Sequence, residues 1–369
     1  MAEPPAPVRI AACGCLTALG DAAATHAALL RGERALERVP VLGREGGDMV
    51  PLALLPGRPL DETATPSWLP AIRRLCDSVP LADWGSPGLP VFVTGSNFGV
   101  GGLYALRRSW DPSFAAWGAP PTCTEALRLN LGWGPDVSIL SHACVSAHLG
   151  LLQATRVIES GLADEALVLS FDFLSPFVAG GFHALKILNS GFPAPFRERP
   201  AGAIGLGDGA GFAVLSRSRG EWRLAGQSHF NEMHHFTSNR ADGGGFDRCL
   251  EPVRRAARGR RVWFKGHGTG TLDAGRLEVA AAARAFPGAP ITGWKGSLGH
   301  TLGSCGIVEL AVAIESARAG RAPGTIGEPG TPMAGTVATG EFGTGSFDGI
   351  VCASNAFGGA HAAFLLCDA

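Results

Sequence analysis

Tyrosine is almost absent from this chain, with one in 369 residues, methionine occurs four times, and charged side chains make up only 17%. So small a charged fraction excludes a chain kept open by its own charge and points to extensive buried surface. With 31 basic and 32 acidic residues the formal net charge is -1, so neither a basic face for nucleic acid nor an acidic tail is implied. The nine cysteines (Cys13, Cys15, Cys76, Cys123, Cys144, Cys249, Cys305, Cys352 and Cys367) are odd in number, irregularly spaced and contain no CxxC pair. They support neither a zinc site nor a disulfide framework. No run of about 18 apolar residues is present to span a membrane. The opening Met-Ala-Glu-Pro-Pro-Ala-Pro lacks the basic-then-apolar pattern of a secretory signal. The expected setting is reducing and cytoplasmic.

Hydrophobic residues and glycine are plentiful, at 46% and 53 residues. Short β-branched runs read as buried strands at 8–15, 89–97, 137–144, 165–172, 209–216, 222–230, 261–267, 291–296, 349–355 and 361–367. Apolar residues at helical spacing place helices over 25–36, 68–79, 124–131, 145–161, 246–258, 277–286 and 301–318. Residues 37–64 are rich in Pro and Gly and read as a surface excursion. Residues 173–204 and 321–346 read as loop-rich. Strands alternating with helices predict an α/β fold with a mostly parallel sheet. Each half holds a strand, a sharp turn and a long small-residue helix, which predicts a duplicated architecture with halves over 1–218 and 219–369.

The chain is organised around Val137-Ser-Ile-Leu-Ser-His-Ala-Cys144 and the helical stretch that follows. Cys144 falls at or just before a helix N-terminus, where unpaired N–H groups and the helix dipole favour an anion. A thiol there is expected to have a lowered pKa and a useful thiolate fraction. The alternative is an inert structural cysteine.

Three further segments end strands, where α/β proteins place their sites. His267-Gly-Thr-Gly-Thr271 is neither a Gly-x-Gly-x-x-Gly nor a P-loop, and taken alone its histidine is equally a core residue. Lys295-Gly-Ser-Leu-Gly-His300 puts a lysine and a histidine around one glycine-rich turn. In Phe357-Gly-Gly359 bare amides can approach a bound group closely, and an ordinary hairpin turn is the alternative.

Together, Ala143-Cys144 before its helix, His267-Gly-Thr-Gly-Thr271, Lys295-x-x-x-Gly-His300 and Phe357-Gly-Gly359 resemble the β-ketoacyl-acyl-carrier-protein synthases of the thiolase superfamily, of the elongating Cys-His-His type. Pro195-Phe196 and Gly207-Asp-Gly-Ala-Gly211 add to the resemblance, which runs from about residue 137 to the C-terminus.

The resemblance implies a thiolase-like fold of duplicated αβαβαββ halves forming a five-layered αβαβα sandwich. It implies decarboxylative condensation of an acyl thioester with a malonyl group on an acyl carrier protein, in fatty acid or specialised polyketide or polyene synthesis. Cys144 would carry the acyl group, and the amides of Cys144 and Phe357 would form an oxyanion hole. His267 and His300 would bind the malonyl thioester and stabilise its enolate. Lys295 would orient the site, paired with Glu278. Thr269 and Thr271 would contact the phosphopantetheine arm, and Phe357 with Gly358 would line the acyl pocket as a gate. No metal or redox cofactor is implied. The expected partners are the carrier protein and either a second copy or a related chain-length factor, with neither nucleic acid nor membrane.

The sequence departs from the family pattern at Gly275 (usually aspartate), Asn355, Ala356, Ala360-His361, Asp208 and Arg197. These changes bear on acyl-pocket shape, gating and carrier docking. Two rival readings follow: a non-catalytic chain-length-determining subunit, which typically lacks the cysteine, and an acyl-transferring or hydrolytic Cys-His enzyme without decarboxylation.

Overall fold

Ten strands carry the architecture, and they repeat one plan twice. In the first half they are β1 (Arg9–Thr17), β2 (Val91–Thr94), β3 (Val137–Leu140), β4 (Glu165–Asp172) and β5 (Gly209–Ser216). In the second they are β6 (Trp222–Asn231), β7 (Val262–Lys265), β8 (Ile291–Thr292), β9 (Gly349–Ala356) and β10 (Ala360–Asp368). Their order across the sheet is β8-β7-β9-β10-β6-β1-β5-β4-β2-β3, so each half has the same internal order. The halves meet where β1 pairs with β6 through Arg9 opposite Arg223 and Ile10 opposite Trp222. This computed structural model describes residues 7–42, 47–61, 66–81, 84–199 and 202–369. The proline-rich opening and parts of the 37–64 stretch lie outside them.

The sheet is mixed, not mostly parallel. In each half three strands run parallel (β3-β2-β4 and β8-β7-β9), and β4-β5 and β9-β10 pair antiparallel. The reason is connection length. Crossovers through helices give parallel neighbours, whereas β9 and β10 are joined by a tight turn at Phe357–Gly359 and must return antiparallel.

The layers follow from which face each residue buries. Helices α5 (Ser146–Glu159) and α10 (Cys305–Arg318) lie in the middle, where Ala147, Leu151, Ala154 and Ile158 meet Ile307, Leu310 and Ile314. Ala166 and Val168 of β4, with Ile350 and Phe364 of β9 and β10, face this central layer. Their neighbours Leu167 and Leu169 face outward to α2 (Leu69–Asp77) and α4 (Pro120–Leu131). Val351 and Leu365 face α7 (Gly244–Ala256) and α8 (Leu272–Ala285). Strands buried on both faces need continuous rather than alternating apolar sequence, as β4 and β5 have. The result is the five-layered sandwich with a duplicated α/β plan.

Three stretches differ from their sequence reading. The strand read over 291–296 ends at Thr292, and Lys295–Leu298 forms a one-turn helix. Residues 37–64 are not merely a surface excursion: Glu37–Pro40 and Met49–Ala53 pair with each other, and the latter with Leu206–Gly207. Val50, Leu52 and Ala53 are fully buried there. The loop-rich region after Asp172 contains α6 (Pro176–Ala184), with Ser175 as N-cap and proline in its first turn. That is a start signal, Ser-Pro, with too short an apolar run behind it to read as periodic.

Candidate active site

Four loop segments converge on one cavity of about 800 Å³. Cys144 follows β3 after three residues and precedes α5. Ala143 takes φ 45°, a left-handed conformation that a residue with a Cβ adopts only under constraint. Ser146 supplies that constraint: its Oγ accepts the His142 N–H at 2.7 Å and donates to the Ala143 carbonyl at 2.6 Å. The bend turns the Cys144 thiol onto the cavity floor, where the side chain is 8% exposed. The turn end of the β9–β10 hairpin packs beside it through Ala356 and Ala360.

His300 reaches the thiol directly, with Nε2 at 2.9 Å from Sγ. The Leu302 N–H donates to His300 Nδ1 at 3.2 Å. In a neutral ring Nδ1 is then the bare nitrogen and Nε2 carries the hydrogen. His300 therefore points an N–H donor at the sulfur and at whatever binds beside it. The ring of His267 stands edge-on to that of His300, centroids 4.9 Å apart. Ligand atoms of Cys144, His267 and His300 all lie within 4.8 Å of one another, and among the described residues they are the one group with a donor set suited to a metal ion.

Burial pushes the pKa of both imidazoles well below the ordinary histidine value, and the Lys295 charge lowers them further. They are neutral donors at neutral pH. The expected lowered pKa of Cys144 is corrected. Burial is the largest influence and raises it, Cys305 raises it further, and Lys295 pulls it back. A helix terminus lowers a thiol's pKa where water reaches it; here desolvation of the anion outweighs the dipole. The resting pair is a thiol beside a neutral imidazole.

The pairing of Lys295 with Glu278 is also corrected. Lys295 Nζ lies 2.6 Å from Glu309 Oε1. Glu278, on α8, instead accepts the backbone N–H groups of His267 and of Gly268, the latter at 3.1 Å. It fixes the loop that aims His267. Gly266 and Gly268 of that loop pack on Phe196, whose Cζ would lie 2.7 Å from a Cβ at Gly266. Thr269 and Thr271 line the cavity wall with their hydroxyls 3.1 Å apart. Phe357 is half-exposed at the mouth and stacks on Phe182 at 5.8 Å. Gly358 holds the turn at φ 85° and donates its N–H to the Phe236 carbonyl.

Sequence reasoning passes over Glu309, Lys265 and Asp172. Glu309 is the one acid in the buried run Cys305–Ile314, and a lone acid in an apolar helix is a signal that could have found it. Lys265 forms a second ion pair with Glu309. Asp172 ends β4 and accepts N–H groups from Ser96 at 2.9 Å, Asn97 at 2.8 Å and Gly303 at 2.6 Å. It ties the 95–97 turn to the segment behind His300. Burial raises its pKa to about 6 against the pull of those bonds.

Residues 226–327 match the model of the beta-ketoacyl synthase C-terminal domain. That segment is similar to the C-terminal domain of beta-ketoacyl synthases. A chloroplastic 3-oxoacyl-[acyl-carrier-protein] synthase II from Arabidopsis thaliana is 29% identical over 242 residues, covering 59% of this chain and 44% of that protein. The chain thus spans about half the length of the curated relatives it matches. The ketosynthase fold runs through the whole chain. A beta-ketoacyl synthase from Burkholderia phymatum STM815 superposes with TM-score 0.81 at 20% identity, covering 98% of this chain and 99% of that one. The ketosynthase complex of a type II polyketide acyl-carrier protein, bound to the hexaketide, superposes with TM-score 0.84 at 17% identity, over 99% and 100%.

A pH effect on stability follows from the buried imidazole rings. His148 is held down to about 3, and His267 and His300 lie well below their ordinary value, all mainly by burial. Below about pH 6.5 the unfolded chain takes up protons that these native rings refuse. Stability is therefore present above that pH and is lost as pH falls below it. Urea midpoints should drop steadily from about pH 7 to pH 5. A flat midpoint over that window would show that the rings titrate alike in both states.

Proposed function

We propose that the chain is a β-ketoacyl-[acyl-carrier-protein] synthase, an acyltransferase that condenses an acyl thioester with a malonyl group delivered on an acyl carrier protein. The observation that carries this reading is the convergence of the Cys144 thiol, the His300 N–H donor and the His267 imidazole around one cavity. Cys144 attacks the acyl thioester and keeps the acyl group, and its proton leaves with the carrier thiol. The malonyl carrier then takes its place, with its thioester oxygen toward the two neutral imidazoles. Loss of carbon dioxide leaves an enolate that N–H donors stabilise without protonating it. Its carbon attacks the acyl-cysteine, the amides of Cys144 and Phe357 hold the oxyanion, and a 3-ketoacyl thioester departs. Decarboxylation supplies the carbanion, so the reaction needs no resident metal or redox cofactor. Phosphopantetheine arrives with the carrier, its arm passing Thr269 and Thr271. The pathway is fatty acid synthesis or a specialised polyketide or polyene synthesis.

Carbon dioxide release and 3-ketoacyl product from acyl and malonyl carriers test this directly. Acyl transfer without carbon dioxide release would favour the decarboxylation-free Cys-His reading. Among the described residues no helix is long and apolar enough to cross a membrane. Nine free cysteines fit a reducing, cytoplasmic compartment.

A dimer fits the sheet. β3 is the last strand of its half, and Val137, Ile139 and Leu140 are only half-buried along that open edge. An apolar edge strand is covered in a stable protein, by a second copy or by a related chain-length subunit. Placing a charge there, Ile139→Lys, should shift the native mass toward monomer. An unchanged native mass would place the interface elsewhere.

A further inference from the structure

We propose that Lys265 is a positioning residue of this site: it shares Glu309 with Lys295, and so leaves a net positive charge behind Cys144 and the two imidazoles. The inference deepens the condensing-enzyme reading, since it rests on Cys144 being the reactive nucleophile.

The charge count is the argument. Glu309 Oε1 meets Lys295 Nζ, and Glu309 Oε2 meets Lys265 Nζ. Both lysine side chains are 1% exposed and the carboxylate 4%. One carboxylate between two ammonium groups neutralises one of them. With Lys295 alone the pair would be a neutral dipole with little reach; with Lys265 added the cluster is cationic in a low-dielectric interior, where charge acts strongly. Lys265 also lies 5.8 Å from the centroid of Trp294, whose ring face supports a cation. The lysine ends β7, two residues before His267, so its backbone is continuous with the loop that Glu278 anchors.

Other titratable groups face Lys265: Cys305 on α10, Cys352 on β9, His148 on α5, Glu278 on α8, and His267. Of these only Glu278 is an acid, and its carboxylate is engaged by backbone N–H groups. Burial lowers the pKa of Lys265, and the Glu309 charge opposes that shift. The surplus charge is lost at a lower pH than a free lysine would lose it. Its effect falls on anions formed at the cavity floor. Lys295, which shares its acid with Lys265, favours the Cys144 thiolate against the burial that opposes it, and both lysines keep His267 and His300 neutral.

Alkylation of Cys144 by iodoacetamide, followed across pH by peptide mass, reads this without any carrier substrate. Lys265→Met and Lys265→Gln should alkylate about tenfold more slowly near pH 8, a profile displaced about one unit to higher pH. Glu309→Gln, which strips the shared acid and keeps both amines, should displace it to lower pH. A merely structural lysine would change the melting temperature and leave the profile in place. The proposal is overturned if a folded Lys265 variant follows the wild-type profile, or if Glu309→Gln moves it in the same direction as the lysine variants. Should Lys265→Met not fold, Lys265→Gln and Glu309→Gln decide it. Failure of the wild type to condense carriers would count against the proposed function and leave these displacements interpretable.

Discussion

Cys144→Ala should form no acyl adduct with an acyl carrier and should lose condensation by at least about a thousandfold, the scale seen when a covalent nucleophile is removed. The loss should be selective. The 8% exposed side chain packs against Ala356 and Ala360, so removing one sulfur leaves a small defect and a near-normal melting temperature. His300, His267 and Lys295 remain in place and still present donors to a malonyl thioester. Mass spectrometry of the protein after incubation with acyl carrier reads the adduct. An adduct that persists in Cys144→Ala removes the nucleophile assignment, and with it the condensing mechanism. Native mass alone and with a neighbouring ketosynthase separates a self-sufficient enzyme from a chain-length subunit.

Asp208→Ala should produce the largest loss of stability, about 3–5 kcal/mol, because it takes the counter-charge from a buried guanidinium. Arg58 grips the Asp208 carboxylate with Nε at 2.7 Å and a second nitrogen at 2.7 Å. The same carboxylate accepts the N–H groups of Leu55 and Leu174, each at 2.8 Å. These bonds bring the Met49–Ala53 strand, the end of β4 and the start of β5 to one point beneath the cavity. Asp208→Asn should cost less, since an amide oxygen can still accept from the backbone. Urea unfolding of the two variants measures both effects. A loss below about 1 kcal/mol for Asp208→Ala would mean that the other bonds of Arg58, such as that to the Leu174 carbonyl, hold it without the carboxylate.

Much of this fold is legible in its amino-acid order. Hydrophobic period and glycine placement are local properties, so β4, α5, β7 and α10 can be read from short windows of sequence. Cys144 and His267 stand out because each follows a strand at a sharp turn, and a turn at a strand end is encoded by its own residues; His300 instead follows the short helix Lys295–Leu298 at Gly299. The short elements between 37 and 64 and after Asp172 are hidden, because proline and glycine there mask strands and a helix only two or three turns long. Their burial comes from distant segments such as Leu206–Gly207.

Local sequence determined that Cys144, His267 and His300 stand at turns, and the order in which two similar halves present them. Tertiary structure alone decided their state. Lys295, in the short helix Lys295–Leu298, pairs with Glu309 rather than Glu278, because Glu278 is already taken by backbone amides. The thiol of Cys144 is held protonated and both imidazoles neutral. Ionisation depends on how much water and which charges surround a group in three dimensions, and neither is written in its neighbours along the chain.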